Sequence, residues 1–145
     1  MKTVQRLLNN KGDDVYIFSI GPDDFVFDAI KEMADKNVGA LVVLKNDILV
    51  GIISERDYAR KVILEDKSSH KTRVREIMTT NVICGRPEQT IEQCMAVMTE
   101  KRIRHLPILH ENNLVGMITL GDVVKSIIDE QEHVIEELYH YIHTA

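Results

Sequence analysis

Residues 49–57 read Leu-Val-Gly-Ile-Ile-Ser-Glu-Arg-Asp, and residues 114–122 read Leu-Val-Gly-Met-Ile-Thr-Leu-Gly-Asp. They belong to an internal repeat, in which residues 17–63 align with residues 82–128 at a constant offset of 65 without a gap. Most identical pairs are apolar or glycine, as expected when two copies build the same core. Asp57 and Asp122 are charged, and each follows a hydroxyl residue, Ser54 or Thr119, by three positions. We therefore place the function at this matched Ser/Thr-x-x-Asp motif.

The pattern of apolar residues predicts the same order of elements in both copies: strand, helix, strand, strand, helix. Each copy opens with a short apolar run, Val15–Ile20 or Val82–Cys84. A stripe of helical spacing follows, and Asp24 and Thr90 stand where an N-cap would. Two apolar runs around a polar turn then predict a β-hairpin in each copy. These runs are Ala40–Leu44 with Leu49–Ile53, and Leu106–Leu109 with Leu114–Thr119.

We expect an α/β (α+β) fold with two tandem βαββα units. The divisions are an N-terminal arm or helix at 1–14, a first repeat at 15–66, a polar linker at 67–73, a second repeat at 74–131 and a helical extension at 132–145. The last helix continues past Ile128 through Val134, Leu138 and Ile142, which have no counterpart in the first copy. An apolar stripe of this length needs a partner surface, either a second subunit or the chain's own N-terminal arm.

Composition narrows the classes of function. The formal net charge is −5 and the pI is near 5.7, which argues against a general nucleic-acid binder. No apolar stretch approaches the roughly 20 residues that span a bilayer, and the first residues do not resemble a signal peptide. We therefore expect no membrane partner and a cytoplasmic location. Cys84 and Cys94 align with Ser19 and Ala29, which favours small core residues over a disulfide.

The chain carries no recognisable catalytic motif. It has no nucleophile elbow, no glycine-rich phosphate loop and no paired acid and base, so we expect no enzyme and no catalytic cofactor. His140 and His143 lie one turn apart, as metal ligands on a helix can. A solvated helix end is the better interpretation, because no further ligand stands at a defined spacing. We therefore predict no metal site.

At this point the chain resembles the CBS-domain family, named for cystathionine β-synthase. The resemblance is carried by residues 39–43, 49–57, 104–108 and 114–122, which read Gly-Ala-Leu-Val-Val, Leu-Val-Gly-Ile-Ile-Ser-Glu-Arg-Asp, Arg-His-Leu-Pro-Ile and Leu-Val-Gly-Met-Ile-Thr-Leu-Gly-Asp. It implies two units related by a pseudo-twofold axis, with a cleft between their sheets, usually dimerised into a disk. The family's clefts commonly hold AMP, ADP, ATP, NAD or S-adenosylmethionine.

The Ser/Thr-x-x-Asp motif suits such a ligand. One ionised carboxylate, Asp57 or Asp122, can accept both vicinal hydroxyls of a ribose. Ser54 or Thr119 can bond a sugar or phosphate oxygen, and the following helix N-terminus favours an anion. The alternative is a plain helix N-cap with an acidic residue in the first turn, which binds nothing.

The resemblance implies that the Asp of one copy works with strands of the other, so the two clefts can be compared. The cleft of Asp57 is then expected to contain Ser54, Arg56, Ile83, Arg104 and His105, and that of Asp122 to contain Thr119, Phe18, Gly39 and Ala40. Arginines favour a phosphorylated ligand in the first cleft. In the alternative, Arg56 and Arg104 pair with surface carboxylates and His105 is a satisfied core histidine. Glu55 is expected to face solvent.

These observations predict a regulatory homodimer that binds an adenine nucleotide between its repeats and reports it to a target protein. The competing interpretation is a dimerisation or docking module that binds no ligand. The third is an enzyme that turns over a bound nucleotide.

Overall fold

The computed structural model describes residues 2–12 and 17–144 of the chain. Its elements, in order, are α1 (Val4–Lys11), β1 (Ser19–Ile20), α2 (Val26–Lys36), β2 (Ala40–Lys45), β3 (Ile48–Ser54), α3 (Glu55–Tyr58), α4 (Val74–Ile77), α5 (Ile91–Lys101), β4 (His105–His110), β5 (Asn113–Thr119) and α6 (Leu120–Thr144). The chain is therefore a mixed α/β protein with two tandem units, each built on a small sheet. None of the described helices combines the length and the apolar character needed to cross a membrane.

The compact units differ from the sequence repeats at their edges. One unit combines the segment up to residue 15 with residues 84–145, and the other spans residues 16–83. The N-terminal arm thus packs with the second repeat, whereas residues 74–83, which the repeat pattern assigns to the second copy, pack with the first. The arm forms the expected helix, α1, whose Val4, Leu7 and Leu8 are buried.

The first repeat contains a three-stranded sheet in the order β1-β2-β3. β1 runs parallel to β2, and β2 pairs with β3 in the predicted hairpin. Asn46 and Asp47 form its turn with φ angles of 51° and 63°, the left-handed geometry that matches the twist of a two-residue hairpin. Of the apolar run predicted to open this repeat, only Ser19–Ile20 forms a strand. Val15 and Tyr16 lie outside the described residues.

The second repeat contains the matching hairpin of β4 and β5, with Glu111 and Asn112 in the same turn geometry. The strand predicted at Val82–Cys84 is wrong. In its place Gly85 makes an isolated parallel bridge to Ile108, through hydrogen bonds with Pro107 and Leu109. A single bridge pairs too few backbone groups to extend into a strand. Cys94 is buried in the core of this unit, as expected.

The helix caps follow the prediction at one site and not at the other. Thr90 caps α5, and its hydroxyl accepts a hydrogen bond from the Gln93 amide. Asp24 does not cap α2, because its carboxylate instead accepts from the Gly21 amide, and Phe25 occupies the cap position without a side-chain bond. The prediction for Asp24 is therefore wrong. The Asp24 carboxylate closes a turn around Gly21 and Pro22 and is therefore not available to cap α2.

The two hairpins are covered by equivalent short helices. A methyl group added at Gly51 would lie 2.7 Å from the Met78 sulfur just after α4 and 3.1 Å from the Thr79 carbonyl oxygen. At the aligned Gly116, the added methyl group would lie 2.8 Å from Leu8 Cδ2 of α1. The glycines are therefore required for the close approach of a helix to each hairpin.

These contacts predict that Gly51→Ala destabilises the protein more than Gly116→Ala. Gly51 is opposed by a backbone oxygen that cannot turn away, whereas Gly116 is opposed by the end of a flexible leucine side chain. We expect Gly51→Ala to lower the free energy of unfolding by about 1–3 kcal/mol, in the range of overpacked cores. Urea denaturation of both variants measures the difference, and equal losses would contradict this account.

Candidate functional site

The first Ser/Thr-x-x-Asp motif forms a closed junction between β3 and α3. Ser54 is the N-cap residue, and its hydroxyl accepts a hydrogen bond of 3.1 Å from the Asp57 amide. The Asp57 carboxylate accepts in return from the Ser54 amide at 3.1 Å and from its hydroxyl at 3.2 Å. This reciprocal capping box turns the chain from strand to helix and fixes the position of the carboxylate.

The other carboxylate oxygen of Asp57 also has partners. Oδ1 lies 3.1 Å from Lys61 Nζ, one turn further along the helix, and accepts from the Thr79 hydroxyl at 3.4 Å. The Asp57 side chain is only 13% exposed. The helix continues after Tyr58 as a π-turn over residues 59–63, in which the Leu64 amide bonds the Ala59 carbonyl. Asp57 is thus a nearly buried carboxylate whose bonds lie within the unit of residues 16–83.

The second motif forms the same junction between β5 and α6 with a different counterion. The Asp122 carboxylate accepts from the Thr119 amide at 2.9 Å, and the Thr119 hydroxyl accepts from the Asp122 amide at 3.1 Å. Its ion-pair partner is Lys11 at the end of α1, with Nζ 2.8 Å from Oδ2. Lys11 also approaches the Met117 carbonyl at 3.4 Å. The counterion of Asp57 is therefore local, and that of Asp122 comes from the N-terminal arm.

The environment lowers the pKa of Asp122 below its ordinary value. Burial alone would raise this pKa, because it penalises the charged form. The hydrogen bond from Lys11, the bond from the Thr119 amide and the positive charge of Lys11 outweigh that effect. Asp122 is consequently ionised at neutral pH and remains 26% exposed on its side chain.

A cavity of about 600 Å³ opens within the second repeat beside this junction. Its polar wall combines Arg104, His105, Thr119 and Lys125, and Gly121 lies at the first turn of α6. Its apolar wall consists of Leu120, Val124 and Ile128. Guanidinium and ammonium groups, a hydroxyl and an apolar surface thus share one cavity of the size that small-molecule ligands use.

Backbone pairing explains why these residues meet. His105 stands opposite Thr119 across the β4–β5 hairpin, and the Leu120 amide donates to the Arg104 carbonyl at 2.9 Å. The first repeat has the same arrangement, in which Ala40 stands opposite Ser54 and the Gly39 carbonyl accepts from the Glu55 amide.

The structure therefore groups Arg104 and His105 with Thr119 of their own repeat, and Gly39 and Ala40 with Ser54 of theirs. The sequence-based grouping paired Arg104 and His105 with Asp57, and Gly39 and Ala40 with Asp122, in the opposite repeats. That grouping remains a prediction.

The other predicted site residues lie in the unit of the first repeat. Phe18 is partly buried against the core, with Lys36 Nζ 5.6 Å from its ring centre. Ile83 is partly buried near the end of this unit, and Arg56 is exposed at the start of α3. Glu55 is exposed, as expected.

Several residues of these sites were not predicted, among them Lys11, Lys61, Thr79 and Lys125. Lys125 aligns with Arg60, so the repeat itself offered a signal for it. Lys11 and Thr79 reach their carboxylates through the packing of α1 and of the segment after α4. Their separations from Asp122 and Asp57 along the chain, 111 and 22 residues, carry no local pattern.

The cysteines and histidines offer no further chemistry at these sites. Cys84 and Cys94 are free thiols, and burial raises the pKa of both, which disfavours the reactive thiolate. Within residues 2–12 and 17–144, no group of three or more His, Cys, Asp or Glu side chains is placed to hold a metal ion. His143 stacks on Tyr139 with ring centres 4.0 Å apart.

Comparison with known proteins gives a consistent family match. The family model for the CBS domain matches residues 13–64 and 74–129. The CBS domain-containing protein CBSX3, mitochondrial, of Arabidopsis thaliana is 43% identical over 125 residues, which cover 83% of this chain and 61% of that protein. The protein YhcV of Bacillus subtilis is 33% identical over 107 residues, 74% of this chain and 76% of its own.

A solved structure agrees with these matches. A protein with CBS domains from Burkholderia ambifaria, whose name refers to signal transduction, superposes with a TM-score of 0.86 at 50% identity. The match covers 90% of this chain and 96% of that one. This chain therefore spans nearly the whole Burkholderia structure but less than two thirds of the Arabidopsis relative.

The ion pair of Asp122 predicts a pH-dependent effect of Lys11→Met. A carboxylate whose pKa is lowered by folding stabilises the native state above its unfolded pKa, about 3.9, and loses that contribution as the pH falls through the native pKa. We expect Lys11→Met to lower the free energy of unfolding by about 1 kcal/mol at pH 7, as partly exposed pairs do. This deficit should shrink as the pH falls below about 3.9 and vanish once the pH lies below the native pKa of Asp122.

Urea denaturation between pH 2.5 and 7 measures this effect. Arg6→Met is the matched control, because Arg6 is an exposed cation on the same helix. Its effect should be small at every pH. A deficit in Lys11→Met that stays constant from pH 7 to pH 2.5 would mean that Lys11 stabilises by packing and not through Asp122.

Proposed function

Because the chain belongs to the CBS-domain family, we propose that it is a regulatory protein that binds an adenine nucleotide and signals to a partner protein. The ligand class is AMP, ADP, ATP or NAD, bound as a regulator and not as a catalytic cofactor. The observation that carries the proposal is the cavity beside the β5–α6 junction, where cationic, hydroxyl and apolar groups converge.

The polar wall of the cavity fits a phosphate group. Arg104 offers a planar guanidinium that can bond two phosphate oxygens, and Lys125 adds a second positive charge. The first turn of α6 adds amide groups and the positive end of the helix dipole near Thr119 and Gly121. These contacts are charge-assisted, so each is stronger than a neutral hydrogen bond.

The apolar wall and the neighbouring carboxylate fit the remainder of an adenine nucleotide. Val124 and Ile128 offer the surface that an adenine ring needs. Asp122, beside Thr119 and Gly121, supplies an ionised carboxylate for the two ribose hydroxyls, in exchange for its bond to Lys11. Asp57 is the equivalent carboxylate of the first repeat. A ribose bound there would replace the bonds of Asp57 to Lys61 and Thr79.

Signalling follows from differential binding. A nucleotide shifts an equilibrium between two states of the protein only by its difference in affinity for them. We further propose a homodimer located in the cytoplasm, without enzymatic activity. Hexameric CBS-CP12 proteins among the structural relatives support self-association of such chains.

A second candidate function is a dimerisation module without a ligand. One observation favours it, namely that Asp57 already receives the Ser54, Thr79 and Lys61 donors within its own compact unit. A carboxylate in this state acts as a helix cap, and a ribose would have to displace existing bonds. This candidate predicts no effect of any nucleotide on stability.

The test is a binding comparison of AMP with adenosine on wild-type protein, Arg104→Met and Lys101→Met. At 100 times its dissociation constant, AMP should stabilise the wild type by about 2.7 kcal/mol, a shift of several degrees in the melting temperature. Arg104→Met should weaken AMP about 10- to 100-fold, the loss of a charge-assisted contact, and leave adenosine unchanged. Lys101→Met is the control, because Lys101 is exposed at the end of α5.

The outcomes separate the candidates. Weaker AMP binding in Arg104→Met, with Lys101→Met unchanged, supports a phosphate site in this cavity. Equal binding of AMP by all three proteins would show that Arg104 does not contact the phosphate. The absence of a shift with AMP, ADP, ATP, NAD or S-adenosylmethionine would favour the dimerisation module.

A further inference from the structure

The outer part of α6 exposes an unusual amount of apolar surface. The helix has 25 residues and is about 37 Å long. Its first turns bury Val123 and Ser126 in the second repeat. Further along, Ile135, Leu138 and Ile142 are 64%, 55% and 67% exposed. Exposed apolar side chains that form a contiguous patch mark a surface for interaction with another protein.

The apolar residues of this segment follow a heptad pattern. We define the seam as Ile128, Gln131, Ile135, Leu138 and Ile142, which are spaced alternately by three and four residues. This spacing places all five on one stripe of the helix and is typical of two helices that coil around each other. Isoleucines occupy every second position of the seam, a choice that favours two-stranded coiled coils when leucine occupies the others.

The charges of the segment lie away from the seam. Asp129, Glu130, Glu136 and Glu137 occupy the outer positions of the heptad, and His133 pairs with Glu137 there at 3.0 Å. The positions that flank the seam carry mostly apolar residues, Ile127, Val134 and Tyr141 on one side and Glu132 and Tyr139 on the other. In a parallel pair Val134 faces the partner's Tyr139, and Glu132 faces the partner's Ile127. No two carboxylates therefore oppose each other across the seam.

We propose that residues 128–142 of α6 form a parallel two-stranded coiled coil with the same segment of a second copy of this chain. The inference refines the homodimer of the proposed function and rests on that part of it, but not on nucleotide binding. The proposed partner is a second copy, because the acidic residues that would repel an identical helix lie off the contact face, except Glu132, which faces the partner's Ile127 and not another carboxylate.

Gln131 sets the orientation of the two helices. It is the single polar residue of the seam, and in the parallel arrangement it meets the partner's Gln131, so the two amides can bond each other. In an antiparallel pair the isoleucine positions of one helix face the Gln131 and Leu138 positions of the other, so Gln131 would lie against an isoleucine and its buried amide would lack a hydrogen-bond partner. A parallel pair aligns all five seam positions.

The first test compares the oligomeric state of the full chain in Ile135→Lys and Glu136→Lys. Both variants add a lysine at neighbouring positions of one helix turn, but only Ile135 lies in the seam. By sedimentation equilibrium, we expect wild-type protein and Glu136→Lys to form dimers, and Ile135→Lys to dimerise at least 10-fold more weakly. An unchanged dimer in Ile135→Lys, or a monomeric wild type, overturns the proposal.

The second test determines the orientation. Single variants Gln131→Cys and Leu138→Cys are made in a background with Cys84→Ser and Cys94→Ala, the residues at the aligned positions of the first repeat. Under mild oxidation, a parallel seam cross-links both variants into disulfide dimers, and His133→Cys, on the outer face, remains uncross-linked. Failure of both single variants to form disulfide dimers would overturn the parallel seam.

The failure of this inference is distinguishable from failure of nucleotide sensing. Ile135→Lys lies outside the cavity, so its monomer should still be stabilised by AMP if the sensing proposal is right. A dimer held by the seam that shows no response to nucleotides would support the coiled coil and reject the sensor.

Discussion

The two capping boxes at the strand-to-helix junctions are the constraint on which the site depends. Each forces the chain to leave a hairpin and start a helix within one residue, with an ionised carboxylate held beside the helix N-terminus. That geometry also places the start of the same hairpin, Gly39 or Arg104, against the first turn of the helix. Thr119 caps the helix and also lines the cavity, so stability and recognition are not separable at this residue.

The two repeats have diverged around a common backbone. In the first, Lys61 neutralises Asp57 from one turn away, and small residues, Gly39 and Ala40, precede the hairpin. In the second, Ser126 stands at the position of Lys61, and Lys11 of the N-terminal arm forms the ion pair with Asp122 instead. Arg104 and His105 replace the small residues and line the cavity. The cavity and the seam share Ile128, which gives a physical route by which a ligand could affect pairing of the two copies.

The sequence predicted the features that depend on short-range pattern. Hairpins follow from apolar runs around polar two-residue turns, and the Thr90 cap follows from its place before a helical stripe. Features that depend on long-range packing were not predictable. Lys11 reaches Asp122 only because α1 packs on the second repeat. The cap role of Asp24 was wrong for a local reason, because its carboxylate accepts a hydrogen bond from the Gly21 amide. The strand predicted at Val82–Cys84 is not present, because an apolar run forms a strand only where another strand pairs with it. Arg104 and Thr119 were both identified as site residues from the sequence, but their proximity within one repeat emerged only from the hairpin register.

The most direct measurement is a titration of the ¹⁵N-labelled full chain with AMP, followed by backbone amide chemical shifts. The account predicts the largest shifts at Arg104, His105, Thr119 and Gly121, with smaller changes along α6 as far as Ile128. Shifts absent at saturating AMP, or confined to the exposed end of α6, would contradict a nucleotide site at the strand-to-helix junction.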